Sequence, residues 1–114
     1  HAYKVSFGEG DLDIVVEKTT DELVKLKGAF SEETPFAVLF VPARFEIRDN
    51  DQLYKSLRFK LVSALKRHNI DIVDPYLKFK ESGFTQTHFL HDGHWSPAGH
   101  RIAAEALASW AKAL

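Results

Sequence analysis

Residues 91–101, "HDGHWSPAGHR", place three histidines, one aspartate and one tryptophan within eleven positions. Asp92 and His94 are the pair with chemical potential. In extended backbone, residues two apart point to the same side, so the carboxylate and the imidazole are expected to lie together. Gly93 between them supplies backbone freedom. A carboxylate that accepts from one ring nitrogen selects the tautomer and leaves the other nitrogen free as a general base. Ser96 and Pro97 then read as the cap and first residue of a helix, so the pair sits beside a helix N-terminus. That end disfavours an imidazolium, and Asp92 offsets the effect.

These residues need a scaffold, and the chain supplies an alternating one. The opening "YKVSFGEGDLDIVVE" reads as two short strands around a turn at residues 8–11, a β-hairpin covering residues 2–18. Thr19 and Glu22 form a capping-box pattern that predicts a helix to about Ser31, with Leu23, Leu26 and Phe30 on its buried face. "PFAVLFVP" is an unbroken apolar run of the kind found in a strand buried on both faces of a parallel sheet. "ARFEIRDND" reads as a loop. Asp51 caps a predicted helix to about His68, along which Leu53, Leu57, Leu61 and Leu65 stack. "NIDIVDP" is a second short strand. Asp74 and Pro75 open a short helix that Gly83 ends, and the last helix carries Ile102, Ala106 and Trp110 on one face. Strands alternating with helices imply an α/β fold with a parallel sheet. In such sheets ligands sit beyond the carboxyl ends of the strands. The candidate loops there are "PARFEI", "DPYLK" and "HDGHW".

Bulk properties remove several function classes. The 114 residues suit one small domain, and 45% hydrophobic with 27% charged residues is ordinary globular material. The net charge is −1, from 15 basic and 16 acidic residues. No field of one sign recommends nucleic acid as a partner. The apolar runs are too short for a membrane span. Cysteine is absent, which removes disulfides, thiol catalysis and thiolate metal sites. Methionine is absent too and the chain starts at His1, so a processed product or a piece of a longer chain is expected.

The block "FLHDGHWSPAGHRIAAEAL" resembles the last motif of the SGNH/GDSL hydrolase superfamily. It is most similar to the branch that reads Asp-x-His-Trp, then Asn or Ser, Pro, and Gly-His or Gly-Tyr before a helix. "FAVLFVPARFEI" resembles that family's strand ending in Pro, and "LVSALKRHNIDIVDPYLKFK" its following helix and strand. The resemblance spans about residues 20–114. It implies that residues 19–114 are the C-terminal α/β portion of a flavodoxin-like SGNH hydrolase fold, a partial parallel sheet with flanking helices. Asp92 would orient the base and His94 would be the base of a Ser–His–Asp triad, with Trp95 packed beside the loop. The reaction would be hydrolysis or transfer of an acyl ester, a carbohydrate O-acyl group among the candidates, without cofactor or metal.

The family's Gly-Asp-Ser nucleophile block and its oxyanion Gly and Asn are not in this chain. Ser6, Ser31, Ser56, Ser63, Ser82, Ser96 and Ser109 all lack the nucleophile's context, and "GEGD" has Gly10 where the family's Asn belongs. Isolated, the chain is therefore expected to be inactive. The apolar "FAVLFV" strand would lack sheet neighbours, so a homo-oligomer or a complex with the missing N-terminal portion is expected. Two rival readings stand beside this one. One is a binding module with a vestigial triad. The other is a zinc site built from His88, His91, His94, His100 and Asp92, although no i, i+4 histidine pair supports it.

Overall fold

A computed structural model describes residues 9–114. In chain order the elements are α1 (Glu9–Gly28), β1 (Ala37–Leu39), α2 (Arg44–Asp49), α3 (Gln52–Arg67), β2 (Asp71–Val73), α4 (Tyr76–Ser82), α5 (Phe84–Thr87) and α6 (Pro97–Lys112). The expected α/β character and parallel pairing are present. β1 and β2 run parallel with Ala37 opposite Asp71, Val38 opposite Ile72 and Leu39 opposite Val73. The Phe40 N–H extends the ladder to the Val73 carbonyl at 2.9 Å. Among the described residues the sheet has these two strands and no third. None of the described helices is long and apolar enough to cross a membrane.

The N-terminal reading needs correction. The first strand of the expected hairpin lies outside the described residues, and the second is helical, because α1 begins at Glu9. The stretch "DLDIVVEKTT", residues 11–20, alternates at period two in its first part but also carries Leu12, Val16 and Thr20 at period four. The second pattern prevails: those three residues are buried, whereas Ile14 is 53% exposed. Their stripe packs on α3, and Lys60 of α3 bonds Asp13 at 2.9 Å. At the far end Lys27 reaches the Asn69 carbonyl at 2.9 Å. Thr19 is thus interior to a helix that started ten residues earlier, and it caps nothing. The predicted buried face is rotated as well, with Leu26 and Phe30 each 51% exposed.

The segment 44–49, expected as loop, is helix α2 because both of its buried residues find partners. Ile47 joins Tyr76 and Phe79 in the apolar core, against which Phe84, Trp95 and Ile102 pack. Asn50 ends α2 in the left-handed region at φ 53°. Asp51 then caps α3 as expected, accepting from the Tyr54 N–H at 3.1 Å. Asp74, just past β2, accepts from the Tyr76 N–H at 3.1 Å and so starts α4. Gly83 at φ 88° ends α4, as its sequence position suggested. Trp110 of α6 donates to Asp71 at 2.9 Å and ties the last helix to β2.

One ion-pair cluster joins these pieces. Arg58 of α3 contacts Glu46 of α2 at 2.7 Å and Asp74 at 3.0 Å, with its guanidinium 3.8 Å over the Tyr76 ring. Glu46 is only 2% exposed. Burial pushes the Glu46 carboxyl above the ordinary range, and the Arg58 hydrogen bond and charge oppose that rise. Removing one partner of a buried pair leaves the other charge uncompensated. Arg58→Met is therefore expected to cost about 3 kcal/mol at pH 7. A carboxyl whose folded pKa lies above its unfolded one loses stability as pH rises through that window. Without Arg58 the Glu46 window widens upward, so the deficit should shrink when urea denaturation is repeated near pH 4.5. An equal deficit at both pH values would contradict this role for Glu46.

Candidate active site

The segment from Thr87 to Gly99 closes on itself. The Ser96 N–H donates to the Thr87 carbonyl at 2.8 Å, and the Ser96 hydroxyl donates to the Gln86 carbonyl. Ser96 also caps α6, accepting from the Gly99 N–H at 3.2 Å, with Pro97 in the first turn as the sequence indicated. His88 and Trp95 form an antiparallel bridge, and the Phe89 N–H donates to the His94 carbonyl at 2.9 Å. Gly99 makes the closure possible, since a Cβ there would sit 2.3 Å from the Thr87 carbonyl oxygen.

At the foot of the loop His88 is buried. It stacks on Phe84 at 5.2 Å between ring centroids and meets Phe79 edge-on. The Thr87 hydroxyl donates to the Gly83 carbonyl, so His88 Nδ1, 2.9 Å away, is the donor in the second contact of that hydroxyl. Burial, with help from the Arg44 charge, holds the His88 pKa below its usual value. Trp95 also anchors the loop, tilted against Phe79 at 5.0 Å.

The tip carries Asp92 and His94. Asp92 Oδ1 accepts from the His94 backbone N–H at 2.9 Å and lies 3.4 Å from His94 Nδ1. The two expected partners are thus together, but a turn brings them together rather than a strand. Gly93 takes φ 75°, outside the extended region. The backbone N–H of His94 is the main influence holding the Asp92 carboxyl below its usual pKa, and the His94 ring and Arg44 add to it. The His94 side chain is 83% exposed. Among the described residues its ring has no other ion-pair or hydrogen-bond partner than Asp92.

Beside the pair is an open cleft of about 400 Å³. One wall is the segment 41–44 that leaves β1; the other is Gly93, His94 and Trp95, with His100 at the edge. The cleft therefore lies beyond the carboxyl end of β1, where the fold class placed it. A hollow of about 420 Å³ near Lys27, Phe30 and His68 lies beside Ile70 at the amino end of β2. Among the described residues it has no carboxylate–imidazole contact of this kind, so the cleft is the better chemical site. His100 bonds the Ser96 carbonyl through Nδ1 at 3.1 Å and stands edge-on to Trp95. His91 is exposed, and no three acidic or imidazole groups among the described residues are placed to hold a metal ion. The zinc reading thus has no geometry behind it.

Arg44 is the residue that motif reasoning passed over, because its segment read as loop. The available signal was its position two residues after the Pro that ends a strand. Its side chain packs on Gly93, where a Cβ would meet Arg44 Cδ and Nη1 at 3.1 Å.

Comparison with family models, curated proteins and solved structures finds no match.

Gly99→Ala tests the closure. Overpacking against a fixed carbonyl costs about 1–3 kcal/mol, and amide exchange at Phe89 and Ser96 should accelerate beyond the change in global stability. Unchanged exchange at those two amides would show that the close approach does not hold the loop.

Proposed function

We propose that this chain is the C-terminal portion of an SGNH-like esterase or O-acyltransferase domain and supplies the base half of a Ser–His–Asp triad. The observation that carries the proposal is the 3.4 Å approach of Asp92 to His94 Nδ1 at the rim of an open cleft. With Nδ1 facing Asp92, Nε2 is the nitrogen left to take a proton from a serine hydroxyl. The serine oxygen then bonds to the acyl carbon, and the carbonyl electron pair moves onto oxygen. The protonated His94 returns the proton to the departing alkoxide as the ester C–O bond breaks. Water, or a second hydroxyl in the transferase case, releases the acyl group from serine by the same steps. A carbohydrate O-acyl ester is the proposed substrate class.

No serine in this chain has the nucleophile's setting, and Ser96 is committed to capping α6. The serine and the oxyanion donors are therefore assigned to polypeptide outside the chain, completing a flavodoxin-like sheet. The edge of β1 away from β2, which carries no strand among the described residues, is the natural place for the added strands, whether from that portion or from a second copy.

The test is turnover of an activated acetyl ester by the longer polypeptide that includes this chain. His94→Ala should reduce kcat/KM there on the order of a thousandfold. The isolated chain should show no more than free imidazole does. Retention of activity by the His94→Ala polypeptide, or an acyl-serine adduct formed by the isolated chain, would overturn the proposal.

A further inference from the structure

Arg44 is the arginine that lines the cleft. Arg58 has Glu46 and Asp74, and Arg48 holds Asp49 at 2.8 Å. Arg44 is half-buried and makes no ion pair among the described residues. Among the described residues its one ring contact is with Phe45, whose centroid lies 5.1 Å from the guanidinium carbon. Its Cδ and guanidinium lie against Gly93. Gly93 adjoins His94, and both line the same cleft as Arg44. The lining otherwise consists of apolar Val41, Pro42, Ala43 and Trp95, with His100 beside them. Asp92, the acid beside His94, accepts from the His94 backbone and lies against its ring, and the Arg44 charge acts on it without an ion pair between them. A half-buried guanidinium that lines an open cleft and makes no ion pair among the described residues is suited to a planar anion from outside.

We infer that Arg44 is a specificity residue that binds a carboxylate on the substrate, so that the site prefers acyl esters of acidic molecules such as uronic-acid sugars. This rests on the ester-cleaving reading for the word substrate, but the binding step itself needs no nucleophile. The fork of Arg44 pairs with the carboxylate and holds the ester of the same molecule near His94. A neutral sugar lacks that anchor. A lysine would keep the charge and lose the two-point geometry.

Binding can be read on the chain itself by following the Gly93 amide and the Trp95 indole N–H by NMR. Three probes are titrated at low ionic strength: methyl glucuronoside, methyl glucoside and inorganic phosphate. Saturable shifts at both positions are expected with the glucuronoside, at least tenfold weaker or absent with the glucoside. Arg44→Gln should weaken glucuronoside binding at least tenfold, and Arg44→Lys should fall between; an unchanged amide spectrum elsewhere in each variant certifies the fold. Equal binding of glucuronoside and glucoside, or binding unaffected in both Arg44 variants, would overturn the inference. Phosphate saturating as tightly as the glucuronoside would also overturn it, by showing a site for any free anion. The two proposals separate cleanly. Glucuronoside binding at Arg44 with no loss of esterase activity on His94→Ala refutes the catalytic reading alone. Esterase activity dependent on His94, with no glucuronoside binding, refutes the specificity role alone.

Discussion

The contact between Gly99 and the Thr87 carbonyl is the constraint on which the loop depends. Helix α6 can approach α5 this closely only because residue 99 has no Cβ. That approach lets the Ser96 N–H reach Thr87 and the Ser96 hydroxyl reach Gln86 while the same hydroxyl caps α6. The eight residues from His88 to Trp95 must then leave and return at one point. Their ends are buried or half-buried on Phe79, which confines Asp92 and His94 to a solvent-facing tip. A rigid foot with an exposed tip suits a base that must meet a group from elsewhere.

The opposite wall is held by a different kind of force. Here the Arg58 cluster fixes α2 to α3 and to the end of β2, and α2 begins at Arg44. Burying Glu46 is costly, and its raised pKa records that cost. What the cluster contributes is placement: it sets the segment that leaves β1 against the loop that carries His94. The apolar core between them is small, centred on Ile47, Tyr76 and Phe79. Polar contacts therefore carry much of the positioning of both cleft walls.

Local signals in the sequence held wherever the deciding interaction is short-range. Ser96–Pro97, Asp51 and Gly83 act where their chemistry placed them, because a cap or a left-handed turn involves neighbours within a few residues. The two strands were legible from their apolar runs, and their parallel pairing followed from alternation with helices. The failures came where partners are distant in sequence. Residues 9–18 satisfied strand and helix periodicity alike, and only packing on α3 decides between them. Residues 44–49 looked polar and irregular because Glu46 reads as a surface residue until Arg58, twelve positions on, is seen beside it. Asp92 and His94 were identifiable as a pair, but extended geometry was the wrong route: the turn at Gly93 brings them together. Arg44 carried no motif at all, and its importance comes from lying against Gly93, forty-nine positions away in the chain.

The central claim is that Asp92 holds His94 with Nδ1 protonated and Nε2 free to act as a base. Long-range proton–nitrogen NMR of the His94 ring, recorded at a pH where the imidazole is neutral, reads the tautomer without any substrate or nucleophile. The Nδ1–H form should dominate in the unmodified chain, and Asp92→Ala should shift the balance toward Nε2–H. A ring already in the Nε2–H form, or one indifferent to Asp92→Ala, would contradict the assignment of Asp92 and His94 as an oriented catalytic base.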